Sequence, residues 1–204
     1  MWADRFYTAG MANRSEATRD VLFSAAKAVF EEMGYARVSH ADISFEAGIG
    51  RTTFYEHFTS KEDLLVQLVQ RDLPELIERV LGRVEDTADS AERLHQLTAQ
   101  MVEFLGTDNL GLILHTEVPR LSLDAQAAIA SSHSSMSTAF VSVYRDGVEH
   151  GSFRALPPML AGRLIEQTIM TGGRVLMATE DPKQHAHEIA EETAMFLVRA
   201  LVPS

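Results

Sequence analysis

Residues 48–58, GIGRTTFYEHF, carry the decisive pattern. Phe54 and Phe58 recur at a four-residue step, which is what the buried stripe of a short helix requires. Arg51, Thr52, Tyr55 and His57 are then left for a surface, and Glu56 adds an acid among them. Two glycines, Gly48 and Gly50, bracket the entry to this helix and permit a sharp turn before it. Immediately upstream, Ser39-His40-Ala41-Asp42 reads as a capping box, because Ser39 and Asp42 can satisfy free N–H groups at a helix start. Ile43 and Ala47 supply the buried stripe of that first short helix, and Gly48 ends it. A longer helix precedes the pair, with Val21, Leu22, Ala25, Ala26, Val29, Phe30 and Met33 at three- and four-residue steps and Gly34 as its stop. Ser60-Lys61-Glu62-Asp63 repeats the capping signal and opens a fourth helix.

The remainder of the 204 residues continues in the same mode. Leu64, Leu65, Leu68, Val69, Leu73, Leu76, Ile77 and Val80 give the fourth helix its apolar face, with Pro74 expected to kink or split it. Further helical runs fall at about 90–105, 109–116, 122–150, 158–178 and 183–201. Breaks lie at Gly106, Pro119, Gly151 with Pro157-Pro158, and Asp181-Pro182. No segment alternates with a two-residue period, and no 20–50-residue repeat is visible. The expectation is an all-α chain of about nine helices. Residues 1–13 read as an extension or disordered arm, 14–60 as a helix-turn-helix unit, and 61–204 as a second helical domain. Residues 1–10 show no helical period and precede a second methionine, Met11.

Composition sets the outer bounds. With 46% hydrophobic and 23% charged residues the chain has the balance of a globular protein. No apolar run approaches the roughly 20 residues of a membrane span. The N-terminus lacks the order of a secretory signal, so a cytoplasmic location is the simplest expectation. The absence of cysteine excludes disulfides, thiolate metal sites and cysteine nucleophiles. The net charge of −11 is unevenly placed. Residues 11–61 hold six Lys/Arg against seven acids, whereas 62–204 hold eleven against twenty-one. A polyanionic partner would therefore meet the N-terminal segment and be repelled by the rest.

Two short helices joined by a glycine turn behind a third helix constitute a helix-turn-helix. In that motif the second short helix enters the major groove of double-stranded DNA. Arg51 can offer its fork to guanine or phosphate, and Thr52, Thr53, Tyr55 and His57 are hydrogen bonders of short to medium reach. Lys61 combines positive charge with a helix N-terminus, a natural phosphate position. Ser39 and His40 open the first short helix.

On these residues the N-terminal segment resembles the DNA-binding domain of the TetR family of bacterial transcriptional repressors. The likeness runs over residues 17–65, through MGYARVSHADISFEAGIGRTTFYEHFTSKEDLL. It includes Gly34-Tyr35, the Ile43-to-Gly48 spacing, the Tyr55/Phe58 pair, and Ser60-Lys61-Glu62 before Leu64-Leu65. The resemblance implies a homodimer whose second half binds a small effector and carries the dimer contact, the effector releasing the operator. It places DNA contacts on Ser39, His40, Gly50, Arg51, Thr52, Tyr55, His57 and Lys61. Three positions depart from the commonest pattern: Gly50 where serine is frequent, Thr52 where glycine is frequent, and Glu56 as an acid in the recognition helix. All three bear on which sequence is bound.

In the second domain an effector pocket is expected to use Met101, Phe104, Leu112, His115, Met136, Phe140, Tyr144 and Met170, a largely apolar set. The serine-rich run 131–140 is read either as small residues at a helix crossing or as a polar pocket lining. A dimer face is expected from Leu164, Ile165, Thr168, Gly172 and Val175 on one helix and Thr193, Phe196 and Leu197 on the last, unless those faces are buried within one subunit. His115-x-Glu117 and His185-x-His187 lack the i, i+4 spacing of a zinc pair. Glu56 and His57 are adjacent and point apart on a helix, and no serine elbow is present. Neither a metal, a cofactor nor catalysis is expected. The competing readings are a constitutive DNA-binding protein without an effector, and a helical small-molecule carrier or enzyme.

Overall fold

The structure is a computed structural model. It describes residues 3–84, 89–132 and 134–203, with the side chains of 3–13, Asn109, Leu112 and His115 outside the description. The described residues are helical, without a strand. The chain divides into two compact units at Leu68–Val69.

The first unit holds α1 (Ala3–Met33), α2 (His40–Glu46), α3 (Arg51–His57) and the opening turns of α4 (Lys61–Leu81). Its core is assembled from Leu22, Phe23, Ala26, Val29, Phe30, Tyr35, Val38, Ile43, Phe54, Phe58, Leu64, Leu65 and Leu68. Phe58 packs edge-on to Phe23 with ring centroids 5.2 Å apart, and Phe54 lies 5.9 Å from Phe58. Gly34 ends α1 at φ +78° and Gly48 turns α2 into α3 at φ +65°, both left-handed positions that favour glycine. The α1–α2 connection includes a 3₁₀ turn at Tyr35–Arg37.

The capping box at α2 forms as the sequence predicts. Ser39 N–H donates to Asp42 Oδ2 at 2.8 Å, and Asp42 N–H donates to Ser39 Oγ at 3.3 Å. At α4 Ser60 Oγ accepts from Asp63 N–H at 3.0 Å, but the Asp63 carboxylate answers Thr59, accepting from its N–H at 2.7 Å. Hydrogen bonds from Ser39 hold the Asp42 carboxyl below its ordinary value. For Asp63 desolvation acts upward, but bonds from Gln67 and Thr59 outweigh it and lower the value.

The second unit continues α4 and adds α5 (Ser90–Thr107), α6 (Asn109–Thr116), a 3₁₀ turn at Val118–Arg120, α7 (Leu123–Ser132), α8 (Ser134–Glu149), α9 (Pro158–Met177) and α10 (Pro182–Leu201). Helix α5 is central, packing against α6, α8, α9 and α10. Glycines allow close approaches between helices: a Cβ on Gly172 would lie 2.7 Å from Thr193 Oγ1, and one on Gly173 would lie 3.0 Å from Leu105 Cβ. The α8–α9 connection is tied by Tyr144, whose hydroxyl donates to Arg154 O at 3.1 Å and accepts from Leu156 N–H at 2.9 Å.

Four local expectations change. Residues 3–10, expected as part of an extension or disordered arm, form the first turns of α1, because a nucleated helix propagates through residues that show no apolar period. Helix α4 is not split by Pro74. Pro74 and Gln70 are both exposed, so water can satisfy the carbonyl that loses its intrahelical donor. The division between units falls inside α4, since Leu64, Leu65 and Leu68 are buried with the first unit. The run 122–150 is described as α7 and α8, on either side of residue 133.

Candidate functional site

Helix α3 begins at Gly50, which offers no side-chain cap, and buries Phe54 completely. Successive residues turn by about 100°, so Arg51, Tyr55 and Thr52 fall within about 100° of one another around the helix, and all three are exposed. Glu56 is exposed beside Thr52 and does not turn into the unit, so its charge borders the same surface. His57 follows Tyr55 by two residues, about 200° around the helix, and is half-buried against Phe58, with ring centroids 6.5 Å apart. It therefore occupies the flank of α3 and is not brought together with Arg51, Thr52 and Tyr55. Thr53 is also half-buried.

The sequence placed Arg51 and His40 in the same site without indicating that they touch. Arg51 Nη2 lies 2.7 Å from His40 Nε2. A guanidinium has only donors, so His40 must accept through Nε2 and carry its proton on Nδ1. The His40 ring lies 5.2 Å from the Tyr55 ring and 5.9 Å from Phe54. Helix α2 thus braces the exposed arginine of α3 through its first residue. Ser39 is exposed, its side chain engaged with Asp42.

Lys61 stands differently from its expected role. Its Nζ donates to Tyr35 O at 2.7 Å and to Val38 O at 2.8 Å, and lies 4.0 Å from the Tyr35 ring centroid. The side chain is half-buried and closes the α1–α2 connection onto the start of α4. A charge pinned by two carbonyls and a ring is first a structural clamp, and any phosphate contact is added to that duty.

In the second unit the expected effector residues divide into four groups. Met101, Phe104 and Met170 are half-buried, whereas Met136 and Phe140 are buried on α8. Tyr144 is committed to the α8–α9 connection through its hydroxyl and stacks on Phe153 at 6.2 Å, which removes that hydroxyl from the expected pocket lining. The side chains of Leu112 and His115 lie outside the described residues. Within the serine-rich run, residue 133 is likewise outside, Ser131 and Ser132 bond back to Ala128 O, and Ser134, Ser135 and Ser137 are exposed.

The expected dimer residues also divide. Leu164, Val175 and Phe196 are exposed, and Met159 and Leu160 extend that apolar surface on α9. Thr168 is half-buried. Ile165, Gly172 and Leu197 are buried within the unit, with Gly172 pressed against Thr193 and Val102. They pack α9, α10 and α5 together in one chain and so leave the expected dimer face, as does Thr193 in large part. Leu164, Thr168 and Val175 form one stripe of α9, and Gly172 lies beside it on the side that meets Val102 of α5.

Among the described residues no group of three His, Asp or Glu side chains is placed to hold a metal. No described helix is long and apolar enough to cross a membrane.

Two family models match the chain: bacterial regulatory proteins of the tetR family over residues 22–68, and the tetracyclin repressor-like C-terminal domain over residues 87–171. The fatty acid metabolism regulator protein of Bacillus subtilis is 25% identical over 150 residues, covering 72% of this chain and 77% of that one. The HTH-type transcriptional repressor KstR2 of Mycobacterium tuberculosis is 29% identical over 146 residues, covering 71% and 73%. The solved structure of the ketosteroid transcriptional regulator KstR2 of Mycobacterium tuberculosis superposes with a TM-score of 0.67 at 26% identity, over 91% of this chain and 95% of that one. With the helix-turn-helix unit and the helical second unit both matched, the chain belongs to the TetR family of DNA-binding transcriptional regulators.

Proposed function

We propose that this regulator is a homodimeric repressor that binds a near-palindromic operator through α3 and is released by a small, largely apolar effector. The observation that carries the DNA assignment is the exposed row Arg51, Thr52 and Tyr55, with Arg51 braced by His40. Such a row reaches base edges when the second short helix lies in the major groove, and two copies would read half-sites roughly 34–36 Å apart. Ser39, Gly50, His57 and Lys61 would flank it and contact the phosphate backbone. Because phosphate contacts dominate affinity, binding should weaken steeply with salt.

The dimer would form through Leu160, Leu164, Val175 and Phe196, apolar side chains that one chain leaves exposed on α9 and α10. Dimerisation converts two modest contacts into one tight one through effective concentration. The effector would enter the second unit beside Met101, Phe104, Met136, Phe140 and Met170. Two relatives are named for fatty acid and ketosteroid regulation, both apolar chemistries, which supports that class here. Helix α4, which belongs to both units in sequence, is the covalent route by which effector binding would alter the DNA heads. The effector can lower operator affinity only by its differential affinity for the released state.

The test is a gel shift of the protein's own upstream region at low salt with purified protein. Retardation that is reversed by ligands which raise the melting temperature supports the reading. Retardation indifferent to every such ligand would instead identify a constitutive DNA-binding protein, and stabilising ligands without any retardation would point to a carrier or enzyme.

A further inference from the structure

Polar atoms on a packed helix normally find a hydrogen-bond partner, and an exception needs a reason. Gln100 of α5 is such an exception: its Oε1 is buried and accepts no hydrogen bond. Seven residues earlier, two helical turns along the same stripe, stands Arg93. Arg93 Nη1 lies 3.8 Å from Asp146 Oδ2, so this stripe of α5 faces α8. Arg93 lies in the first turn of α5 and Asp146 in the last turn of α8, so the two packed helices run antiparallel. Gln100 lies roughly 10 Å further along α5. It is therefore opposite the stretch of α8 that presents Met136, Phe140 and Val143, all buried and apolar.

On α5 itself Met101 and Phe104 adjoin Gln100, and both are only half-buried. Thr98 also holds a buried, unpartnered hydroxyl, but two residues from Gln100 it points to the Val102 side, against Gly172 of α9. Gln100 thus turns an unpartnered amide oxygen toward the apolar stretch of α8, while its own neighbours on α5 include the polar Gln96 and Glu103. Such an arrangement destabilises the empty protein and rewards any occupant that completes the hydrogen bond.

We propose that Gln100 is the hydrogen-bonding contact for the effector, an otherwise apolar molecule carrying one uncharged polar group, a hydroxyl or a carbonyl. The inference rests on the effector reading above. A glutamine amide turns either its oxygen or its NH2 to the ligand, so it meets a hydroxyl with either end and a carbonyl with the NH2. Arg93, whose Nε is also buried without a partner, has its charge balanced by Asp146 and lies two helical turns from Gln100, so it is not part of the contact.

Equilibrium dialysis with three probes on one naphthalene frame tests this: 2-naphthol, 2-acetonaphthone and 2-methylnaphthalene. They carry a hydroxyl, a carbonyl and neither group. Wild-type protein should bind 2-naphthol or 2-acetonaphthone about tenfold more tightly than 2-methylnaphthalene, and which of the two leads identifies the group. Gln100→Met, nearly the same length, should erase that preference while leaving 2-methylnaphthalene within about twofold. It should melt no lower than wild type without ligand, because it removes a stranded amide. Gln100→Leu should behave alike and stands in if the methionine variant does not fold. A preference that survives in the variants overturns the proposal, as does a lowered melting temperature with all three probes weakened in parallel. Wild-type binding of the three probes without preference overturns this inference alone, whereas binding of none overturns the effector reading with it.

Discussion

The two units treat their polar side chains in opposite ways. Around α3, the groups that matter are either exposed or held by partners within the same unit: Arg51 by His40, Asp42 by Ser39, Asp63 by Thr59. Around α5, Thr98 and Gln100 bury polar atoms with no partner at all. Among the described residues of the first unit no buried side-chain polar atom lacks a partner, so it can meet a rigid duplex with little reorganisation. The second unit carries uncompensated groups inside it, the condition expected where a ligand supplies what the fold does not. Reading DNA and sensing a ligand thus rest on different physical states of the unliganded protein.

The largest expected effect tests whether the two can be separated. Phe58→Ala empties a fully buried ring site against Phe23 and Phe54, at about 3–5 kcal/mol. Operator binding should vanish in gel shifts while binding of 2-naphthol by the second unit persists. Loss of both would mean that the units do not fold independently. Next, Gly147→Ala drives a methyl into the Phe153 ring and should cost about 1–3 kcal/mol of second-unit stability. Thermal unfolding should register it, with operator affinity at low temperature unchanged.

Arg51→Ala should cost about 1–3 kcal/mol of operator affinity and relax one position of the site, if the arginine reads guanine. Binding assays across single-base operator variants separate this from a uniform loss. Lys61→Met sharpens the comparison further, because two roles predict different readouts. As a clamp on Tyr35 O and Val38 O its loss should destabilise the first unit by about 1 kcal/mol. As a phosphate contact it should reduce the salt slope by about one. An unchanged slope with a lowered melting temperature assigns it to the clamp alone.

The smallest effect concerns pH. The Asp42 and Asp63 carboxyls are both held below their ordinary value in the folded state. Their contribution is therefore complete above the unfolded value, near 3.9, and is lost as pH falls through the lower folded value. Acid unfolding should begin in the first unit, and Asp63→Asn should lower stability at pH 7 while flattening its dependence on acid. An unchanged acid profile in the variant would remove Asp63 from this account.

How much of this was legible in sequence follows the same division. Helices α2 and α3, the capping box of α2, the Gly48 turn and the buried Phe54 and Phe58 are set by neighbours a few residues apart, so local patterns disclose them. The Arg51–His40 contact spans eleven residues and the Lys61 clamp more than twenty, and neither has a local signature. In the second unit the stripes on α9 and α10 were visible, but not which side α5 would cover. Ile165, Gly172 and Leu197 were therefore assigned to a dimer face when they belong to the core of one chain. Gln100 carried no sequence signal either, because an unpartnered amide exists only after α8 has packed over it. Residues 3–10 misled for another reason, since helix propagation needs no apolar period.

The central claim is that α3 reads DNA through Arg51, and fluorescence anisotropy of a labelled upstream fragment tests it most directly. Wild-type dimer should bind at submicromolar concentration in low salt and weaken along a steep linear plot of log affinity against log salt. Arg51→Ala, shown by its melting temperature to be folded, should bind at least about fivefold more weakly. Absence of binding by folded wild-type protein at micromolar concentration, or equal binding by Arg51→Ala, would contradict the account.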